Sequence, residues 1–129
     1  MTRRIEGRTA DAPPPAGPYS QAVRIGTTVA AAGQAGFAPD GTLAEGVAAQ
    51  TRRTLDNLVA SLASCGATPG DVVHMRVYLT DPSQFAEMNA EYESYFDAPY
   101  PARTTVYVGL PPGLLVEIDA LAVLSGEDA

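Results

Sequence analysis

The 129-residue sequence has no tryptophan, a single cysteine, Cys65, and a single histidine, His74. One cysteine excludes an internal disulfide, and one cysteine with one histidine leaves no CxxC or HExxH pattern for a metal. Long apolar runs are missing as well. None approaches the roughly 18 residues a membrane span needs, and the opening MTRRIEGRTADAPPP has no hydrophobic segment after its basic residues, as a secretory signal would. These absences predict a cytoplasmic protein that does not engage a membrane. Basic residues are scarce: eight against fifteen acidic ones give a net charge of −7. That balance repels phosphate backbones and argues against a nucleic-acid groove. Serines occur without a G-x-S-x-G elbow, and GQAG at 33–36 lacks the spacing of a phosphate-binding loop.

What is present suffices for one core. With 46% hydrophobic and 18% charged residues, the composition predicts a single domain over 1–129, residues 1–15 forming a flexible or extended N-terminal arm rich in Pro and Ala. The folded body is expected to begin near Tyr19. Residues 22–25 and 28–32 flank Gly26-Thr27 as a hairpin. Between Gly46 and Cys65, Leu55, Leu58, Val59 and Leu62 recur with the spacing of one helical face, and Gly66 ends the run. Cys65 then reads as an inert thiol in the last turn. Pro69-Gly70 turns the chain into a strand in which Val73, Met75, Val77 and Leu79 alternate with more polar neighbours. Asp81-Pro82-Ser83 opens a second helix with Phe85, Met88, Tyr92, Tyr95 and Phe96 along one stripe. Strands near 103–109 and 115–124 follow.

The order β-β-α-β-α-β-β predicts an α+β fold with both helices on one face of a single mixed sheet. In the last strand Val116, Ile118, Ala120, Ala122 and Leu124 share one face, yet Leu115, Leu121 and Val123 lie on the other. A second apolar face without helices to cover it implies a partner chain.

Glu117 and Asp119 fall on that second face. A carboxylate there loses several kcal/mol of hydration, on the order of an effective ion-burial penalty, unless a cation or hydrogen bonds meet it. Arg103, on the expected adjoining strand, is the candidate cation; a bridge that merely neutralises buried charge is the plainer alternative. Asn89 lies on or beside the apolar stripe of the second helix, where its amide needs partners, from a loop backbone or from a ligand. Tyr19 is either a packed aromatic or a phenol lining a cleft. His74, Arg76 and Tyr78 share a strand face that reads as solvated and polar.

The stretches AGPYSQA (16–22), AAGQ (31–34), AAQTRRTLDNL (48–58), NAEYESYF (89–96), PARTTV (101–106) and VEIDALAV (116–123) together resemble the RidA family, also called YjgF. The resemblance covers the chain after the arm, and the pairing of PAR with VEI is its most diagnostic part. It implies a chorismate-mutase-like fold, a homotrimer with a barrel-like core, and small-molecule clefts between subunits. The implied activity is hydrolysis of enamine and imine carboxylates such as 2-aminoacrylate to 2-oxo acids and ammonia, with no cofactor. Arg103 matches the carboxylate-binding arginine, Glu117 the acid that orients the water, and Thr105 the residue whose backbone carbonyl also holds it. Tyr19 and Gly33 match pocket-lining positions and Asn89 the helical asparagine. The chain departs at Ala32, where the archetype has serine, at Thr105, where many members have cysteine, and in a rim one residue shorter at VGLPPG. A non-catalytic binder of small carboxylates on the same fold is the alternative, and the ribonuclease activity of some relatives fits poorly with the charge. The enzyme expectation requires Arg103 and Glu117 to converge from neighbouring strands at a subunit junction. Placement on separate sides of the sheet would contradict it.

Overall fold

A computed structural model describes residues 3–125. Six strands, β1 (Ile5–Gly7), β2 (Ala22–Ile25), β3 (Thr28–Gln34), β4 (Val72–Leu79), β5 (Ala102–Tyr107) and β6 (Val116–Val123), form one sheet in the order β1-β2-β3-β6-β4-β5. Only β4 and β5 pair in parallel; the other neighbours are antiparallel. Helices α1 (Val47–Ala63) and α2 (Phe85–Tyr95) pack on one another, and α1 lies over β3 and β6. The α+β class and the two helices on one face of a mixed sheet are as the periodicities predict.

The α1 stripe forms the core because its leucines repeat every three to four residues. Leu55, Leu58 and Leu62 are fully buried against Val29, Val77, Val116 and Ile118 of the sheet. Gly66, at φ 85°, turns the chain out of the helix and lets the Ala67 N–H return to the Leu62 carbonyl at 3.0 Å. Cys65 is buried beside this turn, and burial pushes its thiol pKa up, as suits an inert side chain.

The same helix carries amides that hold loops in place. Asn57 Nδ2 donates to the carbonyls of Ala35 at 3.1 Å and Phe37 at 2.7 Å. Gln50 Nε2 donates to the Ala44 and Gly113 carbonyls, and its Oε1 accepts from the Leu115 N–H at 2.9 Å. The loops after β3 and before β6 are thereby tied to one rigid element.

Two features depart from the sequence pattern. Residues 5–7 add β1 to the sheet edge, and Gln21 grips the arm beyond it, donating to the carbonyls of Thr9 and Pro13 and accepting from the Thr9 N–H. In β4 the pairing with β6 slips between Val72 and His74, so Val72 turns inward while Val73, expected beside Met75, is 46% exposed. On the face without helices, Val73, Leu121 and Val123 are exposed.

Candidate active site

Strand register decides which side chains can meet. Arg103 pairs with Met75, and Met75 with Ala120; both neighbours are buried, so Arg103 points to the helix-bearing face. Glu117 pairs with Tyr78 and points to the bare face. β4 lies between β5 and β6. The expected convergence of Arg103 and Glu117 from neighbouring strands therefore fails: β5 and β6 do not adjoin, and the two side chains lie on separate sides of the sheet, which contradicts a site built from neighbouring strands. Arg103 is not the cation that meets the acids of β6 either.

That cation is Arg76. Its Nε lies 2.9 Å from Asp119 Oδ1, while the Tyr78 hydroxyl donates to Asp119 Oδ2 at 2.9 Å. His74 Nε2 lies 3.2 Å from Thr104 Oγ1 on the same face. The polar side chains of β4 thus form a network with β5 and β6.

Arg103 sits instead in an aromatic bed. Its guanidinium carbon is 4.8 Å from the centre of the Tyr92 ring and 5.7 Å from that of Phe85. Ring faces favour the cation without consuming its hydrogen-bond donors. Among the described residues Arg103 forms no ion pair, so its planar fork remains free for an anion. A cavity of about 330 Å³ opens over it, lined by Asn89, Tyr92, Glu93, Tyr100, Pro101 and Arg103. Tyr92 was legible only as core, yet its hydroxyl is buried without a hydrogen-bond partner and burial raises its pKa. Thr105 lies two residues beyond Arg103 and lines neither this cavity nor the next. The Val108 N–H donates to the Leu79 carbonyl at 3.0 Å, and strand alternation then turns the Thr105 carbonyl toward the free edge of β5.

Glu117 occupies a second cavity, of about 300 Å³, with Tyr19, Gly33, Phe37, Pro111 and Leu114 among its walls. Tyr19 is held by its hydroxyl, which accepts from the Ala16 N–H at 3.0 Å. β3 bulges between Ala31 and Gln34, and Gly33 lies in the bulge. A Cβ on Gly33 would come within 2.6 Å of Glu117 Oε2, so only glycine leaves room for the carboxylate. Glu117 is half-buried and makes no hydrogen bond to a described side chain. Burial, and secondarily the charge of Asp119, raise its pKa. A carboxyl so placed holds and releases a proton closer to neutrality than an exposed glutamate does.

The predicted site residues thus fall into two open half-sites. One joins Arg103 with Asn89 on the helix side; the other joins Glu117 with Tyr19 and Gly33 on the far side. No cluster of metal-ligating side chains occurs among the described residues.

Residues 9–124 match the family model described as Endoribonuclease L-PSP. A RutC family protein of Pyrococcus abyssi is 43% identical over 117 residues, covering 88% of this chain and 92% of that one. A 2-iminobutanoate/2-iminopropanoate deaminase of Salmonella typhimurium is 41% identical over 120 residues, covering 89% and 94%. The crystal structure of E. coli TdcF with bound serine superposes with a TM-score of 0.90 at 37% identity, covering 94% of this chain and 99% of that one.

Proposed function

Since the chain belongs to the YjgF/RidA family, we propose that it hydrolyses 2-aminoacrylate- and 2-iminopropanoate-type intermediates to 2-oxo acids and ammonia, in sites shared between copies of the chain. The observation that carries this reading is the pair of groups left uncommitted among the described residues: a guanidinium without an anion and a half-buried acid without a hydrogen-bond partner, each at an open cavity.

The two are complementary halves. Arg103 grips the substrate carboxylate through two parallel hydrogen bonds, with Asn89 offering a further polar contact. An enamine first takes a proton on its terminal carbon and becomes the protonated imine. Glu117 accepts a proton from water as the water oxygen attacks the imine carbon, which gives a neutral tetrahedral carbinolamine. The acid then returns that proton to nitrogen, and as the C–N bond breaks the carbinolamine hydroxyl gives its own proton to the Glu117 carboxylate, so that ammonia leaves and a 2-oxo acid remains. The Thr105 carbonyl is the second anchor proposed for the water. The imine is already electrophilic, so these residues suffice without a cofactor.

Because the sheet separates Arg103 from Glu117, one copy supplies the first and another the second. The exposed apolar residues of the bare face and the unpaired edge of β5 supply surface for that contact, and a homotrimer is the assembly the family resemblance implies. An RNA substrate is disfavoured by the net charge of −7 and by an arginine seated in a cavity of about 330 Å³.

The test is a coupled assay in which a pyridoxal-phosphate dehydratase generates the imine and semicarbazide competes for it. The protein should accelerate 2-oxo acid release; no acceleration over buffer rejects the reading. Arg103→Ala and Glu117→Gln, each inactive alone, should regain about a quarter of wild-type activity when refolded together in equal amounts, because random assembly leaves that share of junctions intact. Absence of recovery in a properly assembled mixture rejects the shared site.

A further inference from the structure

Asp119 stands outside both half-sites, yet it is fixed more firmly than either functional group. Arg76 and Tyr78 each hold one of its oxygens at 2.9 Å, and its side chain is only 17% exposed. It shares a strand face with Glu117, two residues away. Tyr78 is the register partner of Glu117, but its hydroxyl is committed to Asp119, so it offers Glu117 no donor. We propose that Asp119, clasped by Arg76 and Tyr78, is a positioning residue whose fixed negative charge, added to the effect of burial, biases proton uptake and release at Glu117. The proposal rests on the role assigned to Glu117 above.

Within one chain the surroundings of Glu117 leave few competing influences, and the charge that another copy would bring to the shared site is that of its Arg103. On β6 the facing charge is Asp119, and on β4 the polar groups are Tyr78 and Arg76, with His74 further along beside Leu121. β3 contributes Gly33 and the uncharged Gln34, and among the described residues the other titratable side chain lining the cavity is Tyr19. The raised proton affinity of Glu117 agrees with this geometry, burial acting first and Asp119 second. Side chains two apart on a strand are separated by roughly 7 Å, close enough for one unit charge to disfavour ionisation of the other carboxyl. Arg76 offsets part of that charge. The network therefore holds Asp119 in place while leaving a net push on Glu117.

Two variants give signed expectations. Asp119→Asn removes the charge and should move the Glu117 titration to lower pH. Arg76→Gln removes the offset and should move it upward, by less. The titration is followed by carbon-13 NMR of the glutamate carboxyls, with Glu117→Gln assigning the signal, and the acidic limb of kcat/KM against pH is measured in parallel. Opposite shifts in the two variants, with the limb following, support the proposal; a change in packing alone would lower the amplitude without moving the limb in opposite directions. Titrations that stay put or move the same way overturn it, as does a limb that ignores the NMR shift. Each variant carries its own sign, so either one suffices if the other fails to fold. If the titrations move as expected but even the wild type hydrolyses no imine, the deaminase reading falls and the electrostatic coupling stands.

Discussion

Replacing Gly33 with alanine adds one methyl group where the structure has no room for it. The new Cβ would lie 2.6 Å from Glu117 Oε2, 3.2 Å from its Cδ and 3.4 Å from its Cγ. Ordinary contacts begin near 3.5 Å, so the carboxylate must retreat by roughly 0.5 to 1 Å. It can do so, because it is the end of a flexible side chain in an open cavity. Gly33 is not among the glycines with positive φ, so alanine fits the backbone, and the loss of chain entropy in the unfolded state favours it by about 0.4–1 kcal/mol. Misplacing a catalytic group by about 1 Å can cost on the order of 100-fold in rate. Gly33→Ala should therefore lower kcat/KM by about 10- to 100-fold in the coupled dehydratase assay, with a thermal midpoint within a few degrees of wild type. Wild-type kcat/KM in this variant would refute the claim that the position of Glu117 governs the reaction. A collapse of the thermal midpoint would assign Gly33 to folding instead.

Arg103→Ala should cost about 2–5 kcal/mol in transition-state binding, roughly 30- to several-thousand-fold in kcat/KM, and Arg103→Lys should recover little because a point charge cannot reproduce the planar fork. Glu117→Gln should lower kcat by at least about 100-fold while a 2-oxo acid still binds, measured by calorimetry; turnover that survives would mark a non-catalytic carboxylate binder or a different base. The raised pKa of Glu117 means that the folded state binds its proton more tightly than the unfolded one, so ionisation opposes folding above the folded pKa. Glu117→Gln should thus melt higher than wild type at pH 8, the difference vanishing toward about pH 4, where the unfolded carboxyl is also protonated. Asn57→Ala leaves the carbonyls of Ala35 and Phe37 without their donor and should lower unfolding free energy by about 2–3 kcal/mol in urea titrations.

Local periodicity made the elements legible, and long-range order did not follow from it. Leu55, Leu58 and Leu62 announce α1 because one face of a helix must be apolar throughout, and they are buried as expected. The two-residue period of β6 puts Glu117 and Asp119 together on one face, and they are there. The error lay in pairing β5 with β6 because they are consecutive. Consecutive strands often adjoin, but β6 alternates between deep burial and a partly apolar second face, which suits a central strand. β5, with Arg, two threonines and an outward Val106, suits an edge. Placing β6 between β3 and β4 satisfies both, and it moves Arg103 two strands from Glu117. The Tyr92 bed beneath Arg103 and the bulge at Gly33 arise from contacts between distant segments, which no local period encodes.

The separation that contradicts a one-chain site also explains how both groups stay reactive. An arginine and a glutamate within reach on one face would pair, as Arg76 and Asp119 do at 2.9 Å, and each would lose its capacity for another partner. With the sheet between them, Arg103 rests on aromatic faces that leave its donors open, and Glu117 lies over a glycine that offers it no hydrogen bond. Within one chain neither can neutralise the other. In the shared site proposed above, the substrate would come between them: its carboxylate would meet the guanidinium, and its imine carbon, bonded directly to the carboxylate carbon, would face the acid through one water. The charge that Arg103 would otherwise seek from Glu117 is then supplied by the substrate itself.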